Sequence, residues 1–285
     1  MSISCRLCGW MLQDVANCQI RVHEQNAPFC LRFRRPAFPG SLMVKNAQEV
    51  PFGSQARFIG TPPSVGEQAL SASIQLTRSL MLSVEIRDLA KSYNRRLIFS
   101  GLNVSVAAGG ALVVTGPNGS GKTTLLRILA GLVRPTSGTV TMTVGGARLS
   151  PLEARAHLGF VGPDIALYHE LTALENLAFF ARVRGLALTQ KELLALLERV
   201  GLAGRGDDRV SAYSSGMRQR LRYAYALMHR PPILLLDEPS MNLDEAGIAM
   251  LQQVIAEQRR NGLLILATND PKEVTYGDQV LRLGA

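Results

Sequence analysis

Ala111-Leu-Val-Val-Thr-Gly-Pro-Asn-Gly-Ser-Gly-Lys-Thr-Thr124 is the stretch from which the rest of the chain can be read. Ala111–Thr115 is a short apolar run bounded by glycines, the pattern of a buried strand. Gly116–Thr123 matches the P-loop pattern G-x-x-x-x-G-K-[ST], and a helix is expected from Gly121 to about Leu132, ended by Arg134-Pro135. The chemistry follows from the residue types. Glycines let the backbone turn tightly enough for several N–H groups to converge on one phosphate, and the following helix adds the positive end of its dipole. Lys122 supplies a cation for the terminal phosphates, and the Thr123 hydroxyl is a hard oxygen ligand suited to Mg²⁺.

A second anchor lies downstream. Ile233-Leu-Leu-Leu-Asp237-Glu238 ends an uninterrupted apolar strand in two carboxylates, at the strand end where open parallel sheets bind ligands. Asp237 is placed to hold a metal ion and Glu238 to orient and polarise a water. Leu263–Ala267 is another unbroken apolar run, with a helix expected over 245–259 between the two. Tyr213-Ser214-Ser215-Gly216-Met217 opens a helix running to about Met228, and a start with a hydroxyl and a glycine can receive an anion. Strands are expected over 84–88, 103–106 and 139–144. Thr172-x-x-Glu175 and Thr189-x-x-Glu192 are capping-box patterns, so the stretch from about 165 to 228 reads as helix-rich. His157, His169 and His229 are assigned no chemistry.

Composition bounds the alternatives. Of 285 residues, 47% are hydrophobic and 19% charged, enough to bury a core and too few charges for a disordered chain. No apolar run is long enough to span a bilayer, and Met1–Asn17 lacks a secretory pattern. The net charge is +9, but from Met81 onward 23 Lys and Arg face 18 Asp and Glu, a mild +5 that makes no strong basic face for nucleic acid. Cys5, Cys8, Cys18 and Cys30 all fall in the first thirty residues. Residues 1–80, interrupted by Pro28, Pro36, Pro39, Pro51, Pro62 and Pro63, keep no helix or strand period. Three readings fit them: a thiolate zinc site, a flexible arm, or a disordered or mis-assigned extension with translation starting near Met81. The last is preferred, because the cysteine gaps match no common zinc spacing.

With these motifs in this order, residues 81–285 resemble the nucleotide-binding domain of ABC transporters. The resemblance implies an α/β fold: a P-loop NTPase with a mostly parallel core sheet, a small antiparallel β subdomain and an inserted helical subdomain at about 165–228. It implies ATP and Mg²⁺ as ligands. Tyr93 would stack on adenine, Gly116, Pro117, Asn118, Gly119, Ser120, Gly121, Lys122, Thr123 and Thr124 would surround the phosphates, and Thr123 and Asp237 would hold the metal. Ser214 and Gly216 would contact the nucleotide of a second copy in a head-to-tail dimer, Ser240–Asp244 would be the D-loop, and Glu238 would be the catalytic base. Partners would be a membrane permease on a separate chain and a paired ATP-binding subunit, with no nucleic acid. The place would be the cytoplasmic face of the cell membrane. Gly162–Tyr168, Tyr213–Met217 and Thr268–Pro271 look most like the heme-exporter branch serving cytochrome c maturation. Three positions depart from the family pattern. Gly162-Pro163-Asp164 stands where a Gln is usual, Asn269 where a His is usual, and Met217 where the signature has Gln. ATP binding is expected to survive these changes and hydrolysis to persist on Glu238 at a reduced rate. The alternatives are the ATPase of another ABC exporter of unknown substrate and an ATP-binding scaffold with little turnover.

Overall fold

The computed structural model describes residues 81–163 and 165–284. Residues 1–80 with their four cysteines, and Asp164, lie outside the described residues.

Two sheets carry the fold. In the first, β1 (Leu82–Tyr93) and β2 (Arg96–Ala107) form an antiparallel hairpin. Its two-residue turn, Asn94-Arg95, has both φ angles positive (48° and 66°), as a turn matching the strand twist requires. β4 (Ser137–Val144) pairs with the other edge of β1 and β5 (Ala147–Leu149) with β4, giving the order β2-β1-β4-β5. The second sheet contains β3 (Ala111–Thr115), β6 (Leu158–Val161), β7 (Ile233–Asp237), β8 (Leu263–Thr268) and β9 (Gln279–Arg282), in the order β6-β7-β8-β3-β9. All four of its pairings are parallel.

Its central strands are apolar at every position because both faces are covered. Side chains of a strand alternate, so Val113, Leu234, Leu236 and Leu264 join one core cluster while Leu112, Val114, Ile233 and Leu235 join the other. The first cluster packs under the helical side. The second packs against the antiparallel sheet and α1 (Lys122–Leu129).

Between β6 and β7 lie three helices: α2 (Ala173–Val183), α3 (Gln190–Arg199) and α4 (Ser215–Leu227). Both expected capping boxes form. Thr172 Oγ1 accepts the Glu175 amide at 3.1 Å while Glu175 accepts the Thr172 amide at 2.8 Å, and Thr189 and Glu192 repeat the exchange. After β7 come α5 (Glu245–Asn261), β8 and the short α6 (Pro271–Val274).

Some expected boundaries shift. α1 stops at Leu129 rather than near Leu132. Gly131, at φ 70°, takes the left-handed position that closes a helix, and Leu132 N–H turns back to Arg127 O at 2.8 Å, so the end comes before Arg134-Pro135 can set it. β1 and β2 extend well past 84–88 and 103–106, because the chain passes through a bulge at Asp88 (φ 46°) and pairing resumes beyond it.

Candidate nucleotide site

The sheet order decides which distant residues meet. β7, β8 and β3 are adjacent and parallel, so their carboxyl ends lie on one edge. Thr115 pairs with Thr268 and Asp237 with Ala267, which sets the three strand ends nearly flush. Gly116–Gly121, Asp237-Glu238 and Asn269 leave the sheet at that edge.

The loop depends on its glycines. Gly116 (φ 151°) runs so close to the end of β9 that a Cβ there would stand 2.3 Å from Leu283 O. Gly121 (φ 100°) presses on β2, where a Cβ would meet Ile98 Cγ2 at 2.5 Å. Pro117, Asn118 and Gly119 form an exposed crest, while Ser120 is buried beneath it with its hydroxyl unpartnered among the described residues. Lys122, Thr123 and Thr124 make the first turn of α1, whose amides have no acceptor within the helix and face the loop.

Lys122 is only 6% exposed, and its ammonium is compensated on every side. It donates to Gly116 O at 2.8 Å, to Pro117 O at 3.4 Å and to Asn269 Oδ1 at 2.7 Å, and stands 4.0 Å from Glu238 Oε1. Asn269 also donates from Nδ2 to Asn118 Oδ1. Glu238 has φ +46°, a left-handed backbone unusual for Glu, and its amide donates to Ala267 O at 2.9 Å. Burial pushes its carboxyl above the ordinary value. The Asn269 amide and Lys122 pull it back, while the charges of Asp237 and Glu273 add to the rise. Asp237 is buried beside it.

Tyr93 is exposed at the tip of the β1–β2 hairpin, with the Lys91 ammonium 4.4 Å from its ring centroid. Lys91 is itself fixed on Arg134 O at 2.9 Å. Ser214 and Gly216 are not gathered into this cluster. Ser214 Oγ caps its own helix through the Met217 amide at 3.1 Å, and Gly216 lies against Asn242, whose carbonyl a Cβ would approach to 2.7 Å.

Glu273 and the Asn118–Asn269 link escaped the sequence reading. Burial of a Glu in a four-residue helix, and a bond between residues 151 apart, leave no local pattern in the sequence.

A glycine loop between a buried parallel strand and a helix, with a buried lysine inside it and an acidic strand end beside it, defines a P-loop nucleotide-binding domain. Comparison with known proteins makes the assignment narrower. Residues 99–241 match the ABC transporter family model. The linearmycin resistance ATP-binding protein LnrL of Bacillus subtilis is 33% identical over 65% of this chain and 60% of that protein. The cytochrome c biogenesis ATP-binding export protein CcmA of Cupriavidus pinatubonensis is 36% identical over 69% and 87%. The solved dimer of an ATP-binding cassette in a post-hydrolysis state with ADP and Pi is similar at 26% identity and a TM-score of 0.63, over 70% of this chain and 94% of that one. The chain belongs to the ABC transporter family and is an ATP-binding domain of its ATPase class. The CcmA likeness stands beside LnrL at similar identity, so the heme-exporter branch is not singled out.

Proposed function

We propose that the chain is the ATP-hydrolysing subunit of an ABC transporter, working at the cytoplasmic face of the membrane on a permease carried by another chain. Residues 81–285 form its motor, with the helices of about 165–228 as a subdomain. The observation that carries this reading is the meeting of Lys122, Asn269 and Glu238 at the carboxyl edge of β3, β8 and β7. The loop amides and Lys122 bind the triphosphate, and Tyr93 stacks on the adenine. Thr123 and Asp237 offer a hydroxyl and a carboxylate, hard oxygen donors that suit Mg²⁺, which when bound neutralises phosphate charge. Glu238, raised by burial yet tethered by the Asn269 amide, accepts the proton of the attacking water. Ser214 and Gly216, which make no bond to their own loop among the described residues, serve the nucleotide of a second copy. Asn269 can donate a hydrogen bond to a phosphate oxygen but carries no charge, which supports turnover that is real and slow.

The test is Glu238→Gln. Loss of a general base lowers turnover by about 10²–10⁴-fold, and an ATP-bound dimer accumulates on a sizing column. Undiminished turnover in that variant removes the role given to Glu238. An ATPase rate at background for the wild-type chain assembled with its permease would favour a binding scaffold instead.

A second reading concerns the cargo: heme, for cytochrome c maturation. It is supported by 36% identity across 87% of the CcmA protein. Deleting the gene in its host then depletes covalently hemylated c-type cytochromes, and unchanged levels exclude this cargo.

A further inference from the structure

Glu273 is 3% exposed on α6. Its Oε1 accepts the Ser240 amide at 3.1 Å, and its Oε2 is buried without a hydrogen-bond partner among the described residues. An unpaired buried polar atom costs about 1–3 kcal/mol, a cost that an apolar side chain there would avoid. The surroundings say what the carboxylate does. Ser240 lies two residues beyond Glu238, whose positive φ of 46° persists only if its surroundings hold it.

Four bonds do so. Glu238 N–H donates to Ala267 O at 2.9 Å and Met241 N–H to Glu238 O at 3.1 Å. The Tyr223 hydroxyl, on α4 and fully buried, donates to Pro239 O at 2.8 Å. Glu273 takes the Ser240 amide. Two of the four therefore come from side chains, one on α4 and one on α6. α6 begins just after Asn269, whose own groups bind Lys122 and the Glu238 carboxylate. The turn that aims Glu238 and the helix that follows Asn269 are thereby tied together.

We propose that Glu273 is a positioning residue for Glu238: its carboxylate fixes the Ser240 amide and so sets the left-handed backbone that points Glu238 at Lys122 and Asn269. This rests on the reading of Glu238 as the base. Glu273 itself touches no reacting group, so its effect belongs to the chemical step and not to nucleotide affinity.

Steady-state ATPase kinetics and Mg-ATP binding on the full chain test it, with Glu273→Ala, Glu273→Gln and Glu238→Gln side by side. Misplacing a base by about 1 Å costs on the order of 10²-fold, so Glu273→Ala is expected to lower kcat by about 30–100-fold. KM and the Mg-ATP Kd should stay within about threefold, since uniform binding is untouched. Glu273→Gln, which keeps a carbonyl for Ser240, restores kcat to within about threefold of wild type. The proposal is overturned if Glu273→Ala keeps kcat, if Gln is as impaired as Ala, or if KM rises in parallel with the loss. Should Glu273→Ala not fold, Glu273→Asp, which withdraws the carboxylate from Ser240 by one methylene, takes its place with the same expected split. Normal turnover in Glu238→Gln refutes the base itself; an inactive Glu238→Gln beside an active Glu273→Ala refutes only the positioning role.

Discussion

Gly121→Ala puts one methyl group where the fold has no room for it. Two costs can be worked from the structure. At φ 100° the residue lies beyond the region an alanine tolerates, and holding it there costs about 1–3 kcal/mol. The new Cβ would also stand 2.5 Å from Ile98 Cγ2 and 3.0 Å from Phe99 Cδ1. Ile98 is β-branched and stiff at χ1, and Phe99 is buried, so neither can swing aside freely. Overpacking of this kind adds about 1–3 kcal/mol. The sum, about 2–6 kcal/mol, is a large part of a domain's usual 5–15 kcal/mol. The two costs are separable. Ile98→Ala removes the clashing Cγ2 but leaves φ unchanged, so the double variant should recover up to about 2 kcal/mol of the steric part and none of the backbone part. Urea unfolding of the four proteins, analysed as a double-mutant cycle, measures both. A Gly121→Ala protein within about 0.5 kcal/mol of wild type, or no recovery with Ile98→Ala, would show that the loop does not press on β2 as described.

Lys122→Ala removes the charged donor that the proposed reading sets on the terminal phosphates, a bond worth about 1.5–3 kcal/mol, and should weaken Mg-ATP binding about 10–100-fold by calorimetry; affinity within twofold of wild type would contradict its role. Tyr93→Ala loses a stacking platform worth about 1–3 kcal/mol and weakens ATP by about 5–100-fold, while Tyr93→Trp keeps it, and equal losses in the two variants would rule out stacking. His229 Nε2 stands 3.1 Å from Leu158 O and 3.2 Å from Arg184 Nη1, and burial, with Arg184 pushing the same way, holds the imidazole at about 4 against 6.5 for the free side chain. Below 6.5 the unfolded chain therefore binds a proton that the folded chain refuses, so stability falls as pH drops from about 6.5 towards 4. Relative to His229→Gln, wild type should lose about 2 kcal/mol more between pH 7 and pH 5 in urea midpoints, and parallel losses would refute the assignment.

What the sequence revealed, and what it hid, follows from how local each signal is. Gly116–Thr124 was legible because a tight glycine loop between a buried strand and a helix puts its backbone demands on nine consecutive residues. β7 and β8 were legible because a strand covered on both faces has to be apolar throughout. β5 and β9 were not expected, since edge strands with exposed side chains, such as Gln279, Val280 and Arg282, carry no such pattern. The β1–β2 hairpin read too short because Asp88 breaks the alternation and Asn94-Arg95 resembles an ordinary polar loop. α1 read too long because Arg134-Pro135 is the louder stop signal and Gly131 the effective one. The Asn118–Asn269 link and the grip of Glu273 on Ser240 join residues far apart in sequence, and only the strand order brings them together.

That order explains why Asn269 rather than any other residue occupies the centre of the site. Along the chain the loop comes first, the acidic strand end second and Asn269 last. Across the sheet β8 lies between β7 and β3, so the last comes to the middle. A residue leaving β8 is therefore the one with neighbours on both sides. Asn269 uses its backbone N–H towards Glu238 on the β7 side, and its side-chain oxygen and nitrogen towards Lys122 and Asn118 on the β3 side. A neutral amide suits that place, since it can accept from a cation and donate to an acceptor at once without adding a charge between Lys122 and Glu238. An added positive charge there would draw Glu238 down and compete with Lys122, whereas Asn269 leaves the elevation of Glu238 to burial and to the carboxylates of Asp237 and Glu273.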